Sequence, residues 1–386
     1  MKFKVVHIIG GLELGGAETL LFNISSDSSA ASHRIFSLGP NDVHATRFRA
    51  AGRHVRTFGL RGEPLGGPID RMRRYVRGLI ELFFALRRES PDLVQTWMYQ
   101  SDIVGGLLGK LFGKKVIWGI FNSNLSPENY SSRTNRIISA CGVLAKWIPN
   151  TIVSCSDIGS SRHCEIGYPI EKIVFFPTGV DIDRFKMTNP GRRSFRATRG
   201  VHSYNFVIGM VARWDTQKDH RTLFRSVAKV TSERSDIELW LAGGYGIDES
   251  NDELMAMIRE FGLDNQTKLF GSLSDKLIEF YSSLDLFVLS SVGEGVPNVL
   301  LEAMSVGLPC IASEVGDVKR VLADTGLIVP PENSERLALA INTILALPQT
   351  ERESIGVRSR GRIQERYSKS RMMDSFTAIY KNAIET

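Results

Sequence analysis

The stretch EGVPNVLLEAMSVG, Glu294 to Gly307, follows the apolar run Leu286 to Leu289, which has the length and content of a buried strand. Glu294 and Gly295 fall in a turn. Pro297 suits a first helical turn, where a backbone N–H would have no partner, and Asn298 to Ser305 carries a helical pattern with Glu302 inside it. Two carboxylates suggest a glycosidase pair, whose carboxyls flank one bond at roughly 5–9.5 Å. The expected geometry argues otherwise. Glu294 sits at the mouth of the turn and Glu302 about 7.5 Å farther along the helix axis, a spacing that grips two ends of one elongated ligand. Between them the first-turn N–H groups, near Asn298 and Val299, form an anion site at the positive end of the helix dipole. A sugar, a diphosphate and a ribose fit that order. The plainer alternative is a surface helix with two solvated glutamates, since strand, turn and helix units abound in α/β folds.

Upstream of this stretch the same unit repeats. Asn205 opens a second α/β region in which Phe206 to Val211 reads as a strand, with Arg213 and Lys218 between its end and a helix starting near His220. Cations at a strand end that meets a helix start are placed to contact an anion, although two loop cations are also often only solvated. Glu238 to Leu241 runs into Gly243-Gly244, and Lys268 to Phe270 runs into Gly271, Ser272, Leu273 and Ser274. Downstream, Cys310 to Ser313 and Gly326 to Val329 are short strands, followed by helices near Glu335 to Leu345, Glu351 to Tyr367 and Lys369 to Ile384.

The N-terminal region alternates in the same way. Lys4 to Ile9 reads as a buried strand that ends in glycines, and Gly15-Gly16-Ala17-Glu18 opens a helix. Glycines there let a backbone approach a phosphate or sugar, or make a tight turn at positive φ. The run lacks the GxGxxG spacing of a dinucleotide fingerprint, which weakens a hydride-transfer reading. Strand-like runs recur at Arg34 to Leu38, Val55 to Leu60, Leu93 to Thr96, Val116 to Phe121 and Thr151 to Ser154. Alternation of this kind means parallel sheets covered on both faces. Polar residues follow two of the strands, Asn122-Ser123-Asn124 and Cys155-Ser156-Asp157, at the carboxyl ends where open α/β sheets place ligands. The irregular basic segment at 186–204, which includes NPGRRSFRATRG, looks like a linker.

Composition narrows the class. With 386 residues, 42% hydrophobic and 23% charged, the chain suits two soluble globular domains, with no visible secretory signal or spanning helix and so an expected cytoplasmic location. Four scattered cysteines and seven histidines form no metal-ligand spacing, so free thiols and no metal site are expected. Charge is uneven: residues 1–190 hold 24 Lys and Arg against 16 Asp and Glu, and residues 191–386 hold 24 against 26. The basic half could meet an anionic membrane, a phosphate-bearing acceptor or nucleic acid. The segment Arg71 to Arg88 is expected to be an amphipathic helix, with Met72, Tyr75, Val76, Leu79, Phe83 and Leu86 on the sheet and Arg73, Arg74 and Arg77 in water or on anionic lipid.

Taken in order, Gly15-Gly16-Ala17-Glu18, Pro177-Thr178-Gly179-Val180-Asp181, the cations Arg213 and Lys218, the E-x7-E pair Glu294 and Glu302, and Cys310 to Gly316 resemble the motifs of family-four retaining glycosyltransferases of the GT-B fold. The resemblance covers nearly the whole chain. It implies two Rossmann-like parallel-sheet domains facing across a cleft: residues 1–185 for the acceptor and 205–367 for the nucleotide sugar, with 368–386 crossing back to the first. It further implies that Glu294, with Gly295 and Val296, contacts the donor sugar. Glu302 would hold the ribose, while Arg213, Lys218, Asn298 and Val299 neutralise the diphosphate. Gly243, Gly244, Ser272 and Leu273 would frame the base, and domain closure would bring Gly15 and Gly16 to the diphosphate. Asn122 and Ser123 stand where many members have a histidine that contacts the sugar, and Asn122 can donate a hydrogen bond but cannot serve as a base. The implied reaction moves a sugar from a nucleotide donor to a glycan or lipid-linked acceptor in envelope or exopolysaccharide assembly, at the inner face of the cytoplasmic membrane. It needs no metal cofactor and no nucleic acid. A nucleotide-sugar epimerase and a non-catalytic nucleotide-sugar-binding protein are the alternatives.

Overall fold

In the computed structural model the described residues are 2–13, 15–26, 31–40, 43–60, 67–123, 125, 127, 130–202, 204–244, 246–273 and 275–385; Asn124 and Ser274 lie outside them. The chain divides into two units, residues 1–178 with 370–386, and residues 179–369.

In the first unit, short runs rich in β-branched and aromatic residues become strands: β1 (Phe3–Ile9), β2 (Ala31–Ser37), β3 (Val55–Thr57), β4 (Leu93–Trp97), β5 (Lys115–Ile120), β6 (Thr151–Ser154) and β7 (Ile173–Phe175). They pair in the order β3-β2-β1-β4-β5-β6-β7, each neighbour parallel. The connecting helices are α1 (Gly16–Ile24), α2 (Val43–Ala50), α3 (Pro68–Glu89), α4 (Tyr99–Leu111), α5 (Ser132–Leu144) and α6 (Asp157–Glu165). Alternate residues of β1 serve opposite faces. Val5 and Ile9 pack with Leu21, Ile24 and Phe48 of α1 and α2, whereas Val6 and Ile8 pack with Leu82 and Leu86 of α3. The three-residue edge strand β7 was not anticipated, although all three of its residues, Ile173, Val174 and Phe175, are apolar.

The second unit contains β8 (Phe206–Val211), β9 (Ile237–Ala242), β10 (Thr267–Leu269), β11 (Leu286–Leu289), β12 (Cys310–Ser313) and β13 (Leu327–Val329), all parallel in the order β10-β9-β8-β11-β12-β13. Its helices are α7 (Asn189–Ala197), α8 (His220–Glu233), α9 (Asp252–Glu260), α10 (Leu277–Ser283), α11 (Asn298–Val306), α12 (Val318–Leu322), α13 (Ser334–Ala346) and α14 (Gln349–Arg366). The last helix, α15 (Lys369–Glu385), returns to the first unit, where Met372, Phe376 and Tyr380 are buried beside α1 and α2.

Two expectations are corrected. Residues 186–204 are not a linker: they lie inside the second unit, and their centre is α7. Thr188 caps α7 at Gly191 N–H, and Arg192 and Arg196 both grip Asp285, the first at 2.6 Å. Asp285 also accepts Val207 N–H at 2.8 Å, so the arginines that looked like a solvated stretch fasten α7 to the starts of β8 and β11. The second correction concerns α3. Its core side is Gly78, Leu82, Ala85 and Leu86, while Met72 and Val76, expected on the sheet, are exposed. A Cβ at Gly78 would lie 2.6 Å from Phe58 O, and this close approach sets which side of α3 meets the sheet.

Candidate active site

Each sheet reverses its strand order once, between β1 and β4 and between β8 and β11, and crevices for ligands form at the carboxyl ends flanking such reversals. In the second unit the loops after β8 and β11 meet there. Val292 N–H donates to Gln217 O at 2.8 Å, and Ser290 Oγ lies 3.0 Å from the carbonyls of Lys218 and Asp219. Asp215 caps the short 3-10 turn Thr216–Lys218 by accepting Gln217 N–H at 2.8 Å, and Asp219 caps α8 through Thr222 N–H at 3.1 Å.

These ties hold Lys218 in place. Its Nζ lies 2.5 Å from Glu294 Oε1, and the same oxygen accepts from Ser291 Oγ at 2.7 Å. The two side chains of this ion pair are only 18% and 10% exposed, so the attraction acts in a medium far less screening than water. Arg213 turns elsewhere: its Nε lies 2.9 Å from Asp215 Oδ2, and more than half of its side chain is exposed. Burial opposes ionisation of Asp215, yet Gln217 N–H, Arg213 and Lys218 hold its carboxyl below the ordinary aspartate range. The two cations expected to act together are thus each held by their own carboxylate.

Beneath Glu294 runs the loop after β12. Asp317 N–H donates to Gly295 O at 3.0 Å, and Gly316, at φ +53°, approaches so closely that a Cβ would lie 2.2 Å from Glu294 O. Only glycine fits there. Pro297 caps α11 from just outside it, one residue earlier than its expected place inside the first turn, and no side chain closes the helix start. The N–H groups of Asn298 and Val299, in the first turn, have no carbonyl within the helix to bond. Farther along α11, Glu302 receives a hydrogen bond from the buried Tyr281 hydroxyl at 2.9 Å. Burial pushes its carboxyl up to about 7, against the pull of Tyr281 and of the Arg184 charge.

The turns after β9 and β10 complete this end of the sheet. Gly243, at φ +149°, would place a Cβ 1.9 Å from Ala212 O, and its N–H donates to Gly271 O at 2.8 Å. Gly244 and Leu273 are half-buried beside it and Ser272 is exposed.

In the first unit, Gly15 caps α1 in an extended conformation and Gly16 begins the helix, both exposed. Neither has positive φ, and nothing lies within 4 Å of a Cβ built on Gly16, so the turn itself does not demand glycine there. Asn122, after β5, donates to the Tyr130 hydroxyl, and Ser123 follows it half-buried. Met98, after β4, has φ +69°, a conformation that non-glycine residues hold only under strain.

Sequence reasoning missed Ser291, Asp215, Tyr281 and Arg184. Ser291 and Asp215 stand two or three residues from the charges they bind and could have been found by that adjacency. Tyr281, on α10, has no such local signal. Among the described residues no group of His, Cys, Asp and Glu could hold a metal ion, and all four cysteines are free.

Comparison with known proteins bears on the whole arrangement. Residues 14–184 match the description Glycosyltransferase Family 4, and residues 205–346 match Glycosyl transferases group 1. EpsF of Bacillus subtilis, named as a glycosyltransferase, is 25% identical over 348 residues, spanning 88% of this chain and 86% of that one. The Escherichia coli UDP-Gal:alpha-D-GlcNAc-diphosphoundecaprenol alpha-1,3-galactosyltransferase is 27% identical over 251 residues, 62% of each chain. The crystal structure of Anabaena HepE with UDP-glucose shares the fold at a TM-score of 0.83, with 20% identity over 98% of this chain and 100% of that one.

Proposed function

The chain belongs to glycosyltransferase family 4, with the GT-B fold, and we propose that it moves a sugar, with retention, from a nucleoside-diphosphate donor to a glycan or lipid-linked acceptor. The observation that carries the reading is the Lys218–Glu294 ion pair, set at the sheet reversal beside the uncapped start of α11. Each partner holds the place of a ligand group. On donor entry Lys218 exchanges a carboxylate for the diphosphate, and Glu294 exchanges an ammonium for sugar hydroxyls.

Arg213 joins Lys218 and the Asn298 and Val299 amides on the diphosphate. Glu302 accepts from the ribose hydroxyls, while the backbone turns at Gly243-Gly244 and Ser272-Leu273 receive the base. In the first unit, Gly15 and Gly16 offer helix N–H groups to an anion, and Asn122 and Ser123 offer hydrogen bonds to a sugar.

In the transfer the bond from the anomeric carbon to the diphosphate oxygen breaks, the acceptor oxygen bonds to that carbon on the same face, and the acceptor proton passes to the leaving diphosphate. Two fixed cations and a helix start stabilise the charge that develops on the leaving group without requiring a metal. The name of the Escherichia coli relative specifies a diphosphoundecaprenol-linked acceptor, which supports a lipid-linked acceptor for this chain and, with it, work at the cytoplasmic face of the membrane.

Glu302→Ala and Arg213→Ala are each expected to lower transfer about 100-fold with the fold retained, measured with a panel of UDP- and GDP-sugars. Rates near wild type in both variants would sink the assignment. Conversion of donor alone to an isomer would instead make the protein an epimerase, and donor binding without turnover on any acceptor a binding protein.

A further inference from the structure

Half of the exposed large hydrophobic side chains among the described residues fall on one layer of the first unit, made by α3, α4 and α5. On α3 they are Ile69, Met72, Val76, Ile80 and Phe84, spaced three or four residues apart and therefore on one stripe. This stripe lies across the helix from Gly78, Leu82, Ala85 and Leu86, which face the sheet. The helix thus has two apolar stripes, and only one is used by the fold. Next in the layer come Leu107 and Leu111 on α4, Val143 on α5, and Trp147 just beyond it, 67% exposed. Phe83 of α3 packs on Phe112 at 4.9 Å between ring centres, and Cys141 Sγ of α5 meets Tyr99 O of α4, so the three helices are neighbours.

The charges on this layer are mostly positive, with Asp70 in the first turn of α3 as an exposed exception. Arg73, Arg77 and Arg87 border or interrupt the α3 stripe, and Lys110 and Lys146 stand beside the α4 and α5 residues. Glu81 is paired with Arg77 at 2.8 Å. Helix α5 has Arg133 and Arg136 and no carboxylate, and the one carboxylate of α4, Asp102, is fully buried.

We propose that the outer face of α3, α4 and α5 docks on an anionic lipid bilayer, with the apolar stripe of α3 and Trp147 entering the interface and the arginines and lysines meeting headgroup phosphates. A helix of this length lies about 33 Å along the surface, and no described helix is long and apolar enough to cross a membrane, so contact is in the plane. Arginine and lysine stems lie along apolar surface while their charges stay at headgroup level. A second copy of the chain is a poorer occupant: a two-fold interface would set this basic face against itself.

The inference rests on the reading of a lipid-linked acceptor for its purpose, yet its test is independent of transfer. Full-length protein is mixed with vesicles of phosphatidylglycerol and phosphatidylcholine, or of phosphatidylcholine alone, and pelleted. Binding is expected only to the anionic vesicles, falling as salt rises. Arg73→Gln with Arg77→Gln should weaken it about 25-fold, at about 5-fold per arginine. Met72→Ser, Val76→Ser and Ile80→Ser together should weaken it at low salt as well, with transfer to a water-soluble acceptor unchanged. No binding at low salt, or binding indifferent to both sets of variants, overturns the proposal. So does a self-association that the serine variants abolish while vesicle binding persists. Transfer failing in the wild type would count against the assigned function and leave the docking result standing.

Discussion

Asp102 and Glu302 are carboxyls that burial pushes up to about 7, one in each unit, and they differ in what surrounds them. Asp102 Oδ1 accepts from Thr96 Oγ1 at 2.5 Å, which favours the ion, while Oδ2 is buried with no hydrogen-bond partner, which favours the acid. The folded-state pKa is raised, so the contribution to stability is complete below the unfolded value near 4 and is lost as pH rises toward 7. Asp102→Asn removes that titration. Its unfolding midpoint in denaturant, relative to wild type, is expected to gain steadily between about pH 4 and pH 7 and to be level on either side. A constant offset across that window would mean that Asp102 is already ionised when folded. The buried His163, pushed down to about 4, works with the opposite sign and loses stability as pH falls below the usual histidine range; it is common to both proteins and leaves the comparison intact. At this scale the sequence singled out these charges and concealed their pairing. Lys218 and Glu294 both read as strand-end residues, but nothing local says that they touch across 76 positions.

Among the elements, the strands were legible because parallel strands covered on both faces need near-continuous apolar runs, and β6, β8, β11 and β12 fall on the residues expected. Helix faces were less so. Periodicity finds α3 but cannot choose between two apolar stripes, and the choice was made by the missing side chain at Gly78. Segment α7 was hidden for another reason: proline, glycine and arginines look like solvated chain until Asp285, some 90 residues away, is known to receive them. The adjacent glycines after β9 differ in the same physical respect. Gly243 combines positive φ with backbone 1.9 Å from a would-be Cβ, whereas nothing lies within 4 Å at Gly244. Gly243→Ala is expected to destabilise the second unit by more than about 1 kcal/mol, and Gly244→Ala to stay within about 0.5 kcal/mol of wild type. Equal effects in equilibrium denaturation would show that the turn relaxes freely and frames nothing.

Across the whole molecule, the chain enters the second unit at Gly179 and leaves it at Lys369, and Val180 pairs there with Ser368, so the outgoing and returning segments run side by side. Helix α15 then completes the first unit's core from the far end of the sequence. Phe376 packs on Phe176 with ring centres 4.5 Å apart, and the Tyr380 hydroxyl bonds Gln95 across 285 positions. The first unit therefore cannot finish folding until the second has been made, although the two cores share no cluster. Phe376→Ala empties a fully buried site and should cost about 3–5 kcal/mol. Because the loss belongs to one core, hydrogen exchange should quicken in β1, β2, β4 and α1 while β8, β9 and β11 keep their protection. Were protection to fall equally in both sheets, the molecule would unfold as a single cooperative body and α15 would be a clasp on the whole chain. If it falls only in the first, α15 is an ordinary part of that unit's core that happens to be encoded last, and truncating the chain before it should leave the second unit folded and the first incomplete.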